Sequence, residues 1–163
     1  METDRNIRPA TRDDAAGLAG IISAAFRTPA ERFGLTPANA PRHPSNCRPE
    51  WVTADLDRGA SYWILSENGR DIGCAGLERA QPGVAYLERV AIIPAARNRG
   101  RGGVLTRFVL EQARSGGIRR VEIGIIAAQD DLRRWYEKFG FVFNGTKSFP
   151  HLPFEVAFLY LDL

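Results

Sequence analysis

Val90-Ala91-Ile92-Ile93-Pro94-Ala95-Ala96-Arg97-Asn98-Arg99-Gly100-Arg101-Gly102-Gly103 decides the fold, because it joins an apolar run to an amphipathic one through a turn rich in arginine and glycine. Residues 90–93 are short, apolar and β-branched, and Pro94 stops them by removing an amide donor, as at the end of a buried strand. From Gly103 onward, Val104, Leu105, Phe108 and Val109 recur at helical spacing, which predicts a helix starting at or just after the glycines. The first amides of a helix lack intrachain acceptors and its dipole leaves partial positive charge there, so that end stabilises an anion. Gly100, Gly102 and Gly103 present no side chain to hold a diphosphate off the backbone. Arg97, Arg99 and Arg101 add forked donors that match phosphate oxygens.

Other phosphate-binding patterns fit less well. A P-loop ends in Gly-Lys-Ser/Thr, and a dinucleotide fingerprint needs Gly-x-Gly-x-x-Gly; this turn has neither. Arg-Gly-Arg-Gly-Gly also occurs in flexible RNA-binding tracts, but those repeat in low-complexity tails, whereas this segment occurs once between two apolar elements. A solvated turn that binds nothing is the remaining alternative.

A second segment, Leu132-Arg133-Arg134-Trp135-Tyr136-Glu137-Lys138-Phe139-Gly140-Phe141, argues against that alternative. Arg97-Asn98-Arg99-Gly100-Arg101-Gly102 resembles the Arg/Gln-x-x-Gly-x-Gly/Ala loop of the GCN5-related N-acetyltransferase (GNAT) superfamily. The later segment is similar to that family's Tyr-Glu-Lys-Leu-Gly-Phe. The two occur in the family's order, with a helix and a strand between them. The resemblance implies an α/β (α+β) fold: a mixed, mostly antiparallel central sheet flanked by helices, with splayed central strands forming the acetyl-coenzyme A cleft.

Length and composition suit a single domain over 1–163. Lys+Arg 22 against Asp+Glu 19 gives a net charge of +3, too modest to indicate a nucleic-acid partner. Cys47 and Cys74 lie far apart in sequence, so no disulfide framework is expected and a reducing cytosol fits. With two histidines and no cysteine pair, no metal site is expected. No long apolar run or signal-like N-terminus precedes the fold, which predicts a soluble cytoplasmic protein without a membrane anchor.

The remaining elements follow from local pattern. Residues 6–8 read as a first strand, and Thr11 to Asp14 as a capping box opening a helix through about Phe26. Between Thr28 and Glu50 lie Pro29, Pro37, Pro41, Pro44 and Pro49, which predict an ordered irregular loop or short broken helices. Pro49 opens a second helix that stops at Gly59. Residues 62–65 and 71–77 form a hairpin around Asn68-Gly69, and Gln81-Pro82-Gly83 turns the chain into a strand over 85–93. A strand over 121–126, a helix from Asp130 to Gly140, and strands over 141–143 and 156–161 complete the chain.

The chemistry expected of the family is direct attack of an amine on a thioester within a ternary complex, without a covalent enzyme intermediate. The resemblance places the pantetheine arm on main-chain groups of Val90, Ala91 and Ile92, and the diphosphate on residues Arg97, Asn98, Arg99, Gly100, Arg101, Gly102 and Gly103. Strand alternation would put Glu88 on the same face as Val90, towards the acceptor, which makes it the candidate general base. A surface or ion-paired carboxylate beside Arg89 is the competing reading; Glu78 and then Glu122 are reserve candidates. Tyr136 matches the family tyrosine whose hydroxyl gives a proton to the departing thiolate. Gln129 stands where the family often has Asn, with its amide on the pantetheine or adenine side.

The acceptor site is expected between the proline-rich segment, including Asn39, Arg42, His43, Ser45, Asn46 and Cys47, and the aromatic loop over 149–154. Arg42 or Arg48 would favour an acidic acceptor. The expected substrate is a primary amine of a small metabolite or amino-acid-like compound. A protein Nα- or lysine acetyltransferase and a noncatalytic acyl-coenzyme A sensor are the alternatives. The resemblance allows a homodimer through terminal strands, without a decisive signal for one.

Overall fold

The computed structural model describes residues 4–163. The first three residues of the domain expected over 1–163 lie outside the described residues. The strands are β1 (Arg5–Pro9), β2 (Ser61–Glu67), β3 (Arg70–Gln81), β4 (Val84–Ile92), β5 (Arg120–Ile126), β6 (Val142–Ser148) and β7 (Glu155–Asp162). They form one sheet in the order β1-β2-β3-β4-β5-β7-β6, antiparallel throughout except for the parallel pair of β4 and β5. Helices α1 (Ala15–Arg32) and α2 (Pro49–Asp57) cover one face, and α3 (Arg101–Ser115) and α4 (Asp130–Glu137) the other.

Each face has its own core. Leu18, Ile22 and Val52 pack with Tyr62, Ile64, Cys74 and Ala91 beneath α1 and α2. Leu105, Val109 and Tyr136 pack with Leu65, Ala85, Val121 and Leu159 beneath α3 and α4. Burying each large aliphatic side chain contributes roughly 1.5–3 kcal/mol, which anchors both helix layers to a single sheet. No described helix is long and apolar enough to cross a membrane. Cys47 and Cys74 are both buried and free.

The mixed, mostly antiparallel sheet is the one expected, and three local departures bear on the site. Helix α3 starts at Arg101 rather than near Gly103, so Gly102 and Gly103 lie in its first turn and Gly100 caps it in the left-handed conformation, with φ 76°. Helix α1 continues past Phe26 to Arg32 with Pro29 inside it. The strand expected to end at Ile93 ends at Ile92, and it is not regular.

The irregularity is a β-bulge. Gly76 pairs with Glu88 and Cys74 with Ala91, so Arg89 and Val90 together stand opposite the single residue Ala75. Arg89 takes up the extra residue in the left-handed region, with φ 51°, at a cost of about 1–2 kcal/mol for a side chain with a Cβ. The Glu88 facing expected from alternation is therefore corrected: Glu88 shares a face with Ala91 and Cys74, under α1 and α2, while Val90 packs towards the α3–α4 core.

Candidate active site

β4 and β5 pair only through Val84–Arg120, Ala85–Val121 and Tyr86–Glu122. Beyond Tyr86 the two strands diverge, so main-chain groups of β4 that point towards β5 lose their strand partner. The gap opens a cavity of about 670 Å³ through the sheet, lined on one side by Ala25, Phe26, Pro29 and His43, and on the other by Leu132 and Tyr136. A second cavity of about 410 Å³ adjoins it, walled by Val90, Ile92, Arg97, Asn98, the first turn of α3, Gln129, Trp135 and Tyr136. Val90, Ile92, Arg97, Gln129, Leu132 and Tyr136 line both, so the two form one continuous cleft.

The narrow end of the cleft meets the N-terminus of α3. No side chain caps that helix, so its first-turn amides remain directed at the second cavity without intrahelical acceptors. A Cβ on Gly102 would lie 3.3 Å from the Trp135 ring, so this glycine sets how closely α3 and α4 approach.

The three arginines of the loop divide their roles. Arg97 donates to the Ile92 carbonyl at 3.3 Å, to the Thr28 hydroxyl at 2.7 Å and to the Ala25 carbonyl. The last contact has a cause in sequence. Pro29 has no amide to donate to Ala25 four residues back, and Arg97 takes the released carbonyl. Arg101 donates both arms of its fork to Glu67, each at 2.6 Å, and a third bond to the Ala96 carbonyl at 3.1 Å. The Glu67 carboxyl is held below its ordinary range, chiefly by the hydrogen bond from Arg101. Arg99 lines neither cavity of the cleft; it borders a separate hollow of about 300 Å³ with Arg70 and Arg101.

Glu88 lines the larger cavity. Among the described residues no hydrogen bond or ion pair reaches it. Its neighbour Arg89 donates to Asp55 at 2.5 Å and to the Tyr62 hydroxyl at 2.9 Å, and Arg58 is shared between Asp55 and Glu78. The ion pair with Arg89 weighed for Glu88 is thus made by Asp55 instead. Burial pushes the Glu88 carboxyl above its ordinary range, and the nearby charge of Glu78 adds to the rise. Glu78 itself is paired with Arg58 at 3.1 Å and does not line the cavity, whereas Glu122 does, at the point where the strands part.

Tyr136 comes from the opposite face of the sheet. It is buried against Trp135 and Phe141, with ring centres 4.9 and 5.5 Å away, and burial pushes its hydroxyl pKa up. Its hydroxyl therefore stays protonated across the physiological range. Of the expected pantetheine strand, Val90 and Ile92 reach the cleft, while the Ala91 side chain turns into the α1–α2 core. Gln129 stands at the N-cap position of α4, without a side-chain capping bond, and borders both cavities. Arg32, the last residue of α1, reaches Asp131 of α4 at 3.1 Å, joining the two helix layers beside the cleft.

Of the segments expected to border the acceptor, His43 lines the cavity with its Nδ1 accepting the Ser45 amide at 3.2 Å, and Phe154 of the aromatic loop contributes to the same cavity. The Asp55–Tyr62–Arg89 network and the Ala25–Arg97 contact were not anticipated from sequence. Pro29 inside an otherwise helical run was the one local signal for the second. Among the described residues there is no group of three or more His, Cys, Asp or Glu suited to a metal ion.

Comparison with known proteins agrees with this geometry. The sequence profile of the acetyltransferase (GNAT) family matches residues 24–141. An uncharacterized N-acetyltransferase of Mycobacterium tuberculosis is 30% identical over 146 residues, covering 83% of this chain and 88% of its own. An N-acetyltransferase from Staphylococcus aureus has the same fold, with a TM-score of 0.74 and 20% identity over 98% of each chain. A GNAT acetyltransferase of Elizabethkingia anophelis with acetyl-coenzyme A bound is similar as well, with a TM-score of 0.70 and 16% identity over 98% of each chain. This chain belongs to the GNAT acetyltransferase family and is an acyltransferase of the N-acetyltransferase type.

Proposed function

We propose that the protein transfers the acetyl group of acetyl-coenzyme A to the primary amine of a small, amino-acid-like metabolite, by direct attack in a ternary complex. The observation that carries this reading is the placement of Glu88 and Tyr136: they approach one cavity from opposite faces of the sheet, one a half-buried carboxyl without a partner among the described residues and the other a buried phenol. Amides of the α3 first turn and of Gly100 take the diphosphate, main-chain groups of residues 90–92 take the pantetheine, and Gln129 borders it. A backbone N–H of the same β4 segment polarises the acetyl carbonyl.

Glu88 accepts a proton from the acceptor ammonium, directly or through one water. Glu88 passes that proton to solvent; the amine nitrogen then bonds to the acetyl carbon as the carbon–sulfur bond breaks and gives up its second proton to Glu88, while Tyr136 gives its proton to the departing sulfur and regains one from solvent. A carboxyl raised above its ordinary range is the stronger base near neutral pH, and a phenol that stays protonated is a competent acid.

A small acceptor is favoured over a protein tail because Phe26, Pro29, His43, Pro44 and Phe154 wall the acceptor side. The reading also takes 1–163 as a single domain acting in the cytoplasm, with both cysteines reduced. Titration with acetyl-coenzyme A followed by thiol release across an amine panel tests it. Binding with amine-dependent release is expected; binding without turnover on any amine would instead indicate an acyl-coenzyme A sensor.

A further inference from the structure

Ala25, Phe26, Thr28 and Pro29, which wall the larger cavity, belong to the last two turns of α1. They carry His43 with them, since Phe26 meets its ring edge-on at 5.9 Å and both line the same cavity. Whatever fixes that end of the helix therefore sets where this wall stands against β4. Pro29 weakens the helix from within. It has no N–H for the Ala25 carbonyl four residues back, so one bond of the helical ladder is missing in the middle of the wall.

Arg97 replaces that bond from outside the helix. Its guanidinium donates on three sides: to the Ala25 carbonyl, to the Thr28 hydroxyl at 2.7 Å and to the Ile92 carbonyl at 3.3 Å. The first two acceptors belong to the wall, and the third to the last residue of β4, which lines both cavities. All three are uncharged, so their match is to the planar fork; a lysine there would keep the charge and could not span them. The other side-chain tie from this end of α1 joins Arg32 to Asp131, with side chains 51% and 65% exposed, and pairs so open to water hold geometry weakly.

We infer that Arg97, although it stands in the loop before α3, is a positioning residue for the acceptor: it pins the Ala25–Pro29 wall to the end of β4 and so sets the width of the acceptor end of the cavity. The inference rests on the acetyl-transfer reading, which puts the acceptor against that wall. Pro29 and Arg97 act as a matched pair, the proline freeing a carbonyl and the arginine using it to tie helix to strand. A wall released from β4 loosens its grip on the acceptor and leaves the first-turn amides of α3 where they are.

The test uses the full chain, with the calorimetric Kd for acetyl-coenzyme A measured beside steady-state kinetics on the amine of highest kcat/KM in the panel. Arg97→Lys and Arg97→Gln should both raise KM for that amine about tenfold, the value of a hydrogen bond from a charged donor, with the acetyl-coenzyme A Kd within about threefold of wild type. Pro29→Ala returns an amide to the Ala25 carbonyl, so in that background Arg97→Gln should raise KM by about threefold or less. A merely structural role would lower the denaturant midpoint without moving KM. Arg97→Lys with wild-type KM, beside Arg97→Gln with weakened acetyl-coenzyme A binding, would mark a phosphate-binding cation and overturn this inference alone. An Arg97→Gln effect on KM of equal size with and without Pro29→Ala overturns it as well. Acetyl-coenzyme A binding without transfer to any amine overturns the acetyl-transfer reading and this inference with it.

Discussion

Glu88→Gln is the most searching perturbation, because it acts on rate and stability in opposite directions. The substitution keeps the side-chain shape and removes the basic oxygen. General-base assistance is worth about 10²- to 10⁴-fold. The expected loss in kcat is near the lower limit, about 10²-fold or 2.7 kcal/mol, because Glu122 also lines the cavity and can take a proton through water, whereas Glu78 is held by Arg58. Affinity for acetyl-coenzyme A should not change, since Glu88 faces the acceptor side. In the wild type, kcat/KM should fall with decreasing pH through an acidic limb lying above the ordinary carboxylate range; in the variant that limb disappears and only the ionisation of the amine remains. The stability effect follows from the same shift. A carboxyl with its folded pKa raised makes the fold most stable below the unfolded value, and stability declines as pH rises through the folded value. Glu88→Gln should therefore melt at or above the wild-type temperature at pH 8, with the advantage shrinking towards pH 4. Steady-state kinetics and thermal melts across pH check both. A variant within about threefold of wild-type kcat, with its acidic limb intact, would refute the assignment of Glu88 as base.

Further outcomes follow from the neighbouring residues. Tyr136→Phe removes the proton donor and leaves the ring packed, so kcat should fall by about 10²-fold with the calorimetric Kd for acetyl-coenzyme A unchanged. Gly100→Ala places a Cβ at φ 76° in otherwise open space, so its whole cost is conformational, about 1–2 kcal/mol, and should appear in both denaturant midpoint and cofactor affinity. Arg97→Ala leaves the Ala25 carbonyl without its donor, an expected loss of about 1–3 kcal/mol by denaturant titration, and hydrogen exchange should accelerate at the end of α1. The Glu67 carboxyl has its folded pKa depressed, so its contribution is full above the unfolded value and is lost as pH falls through the folded one. Glu67→Gln should therefore flatten part of the acid limb of the stability curve.

What could be read from the sequence was what neighbours along the chain determine. Short apolar runs bounded by turn residues located β2, β3 and β5, a three-to-four spacing located α3 and α4, and the glycine–arginine turn was placed between β4 and α3. What could not be read depends on residues far apart in the chain. The bulge at Arg89 leaves no mark on the apolar pattern of β4; it is stabilised by Asp55 and Tyr62, 34 and 27 residues away. It nonetheless decides that Glu88 shares the face of Cys74 and Ala91, under α1 and α2. The loop arginines are the clearest case. Their charge suggested three phosphate ligands, yet Arg97 is claimed by a carbonyl that Pro29 set free 72 residues earlier, and Arg101 by Glu67 34 residues earlier. An arginine in a phosphate-binding loop can serve the anion indirectly, by fixing the backbone whose amides bind it. Here the two guanidiniums brace the loop against α1 and β2, and the proposed function assigns the diphosphate to the uncapped first turn of α3.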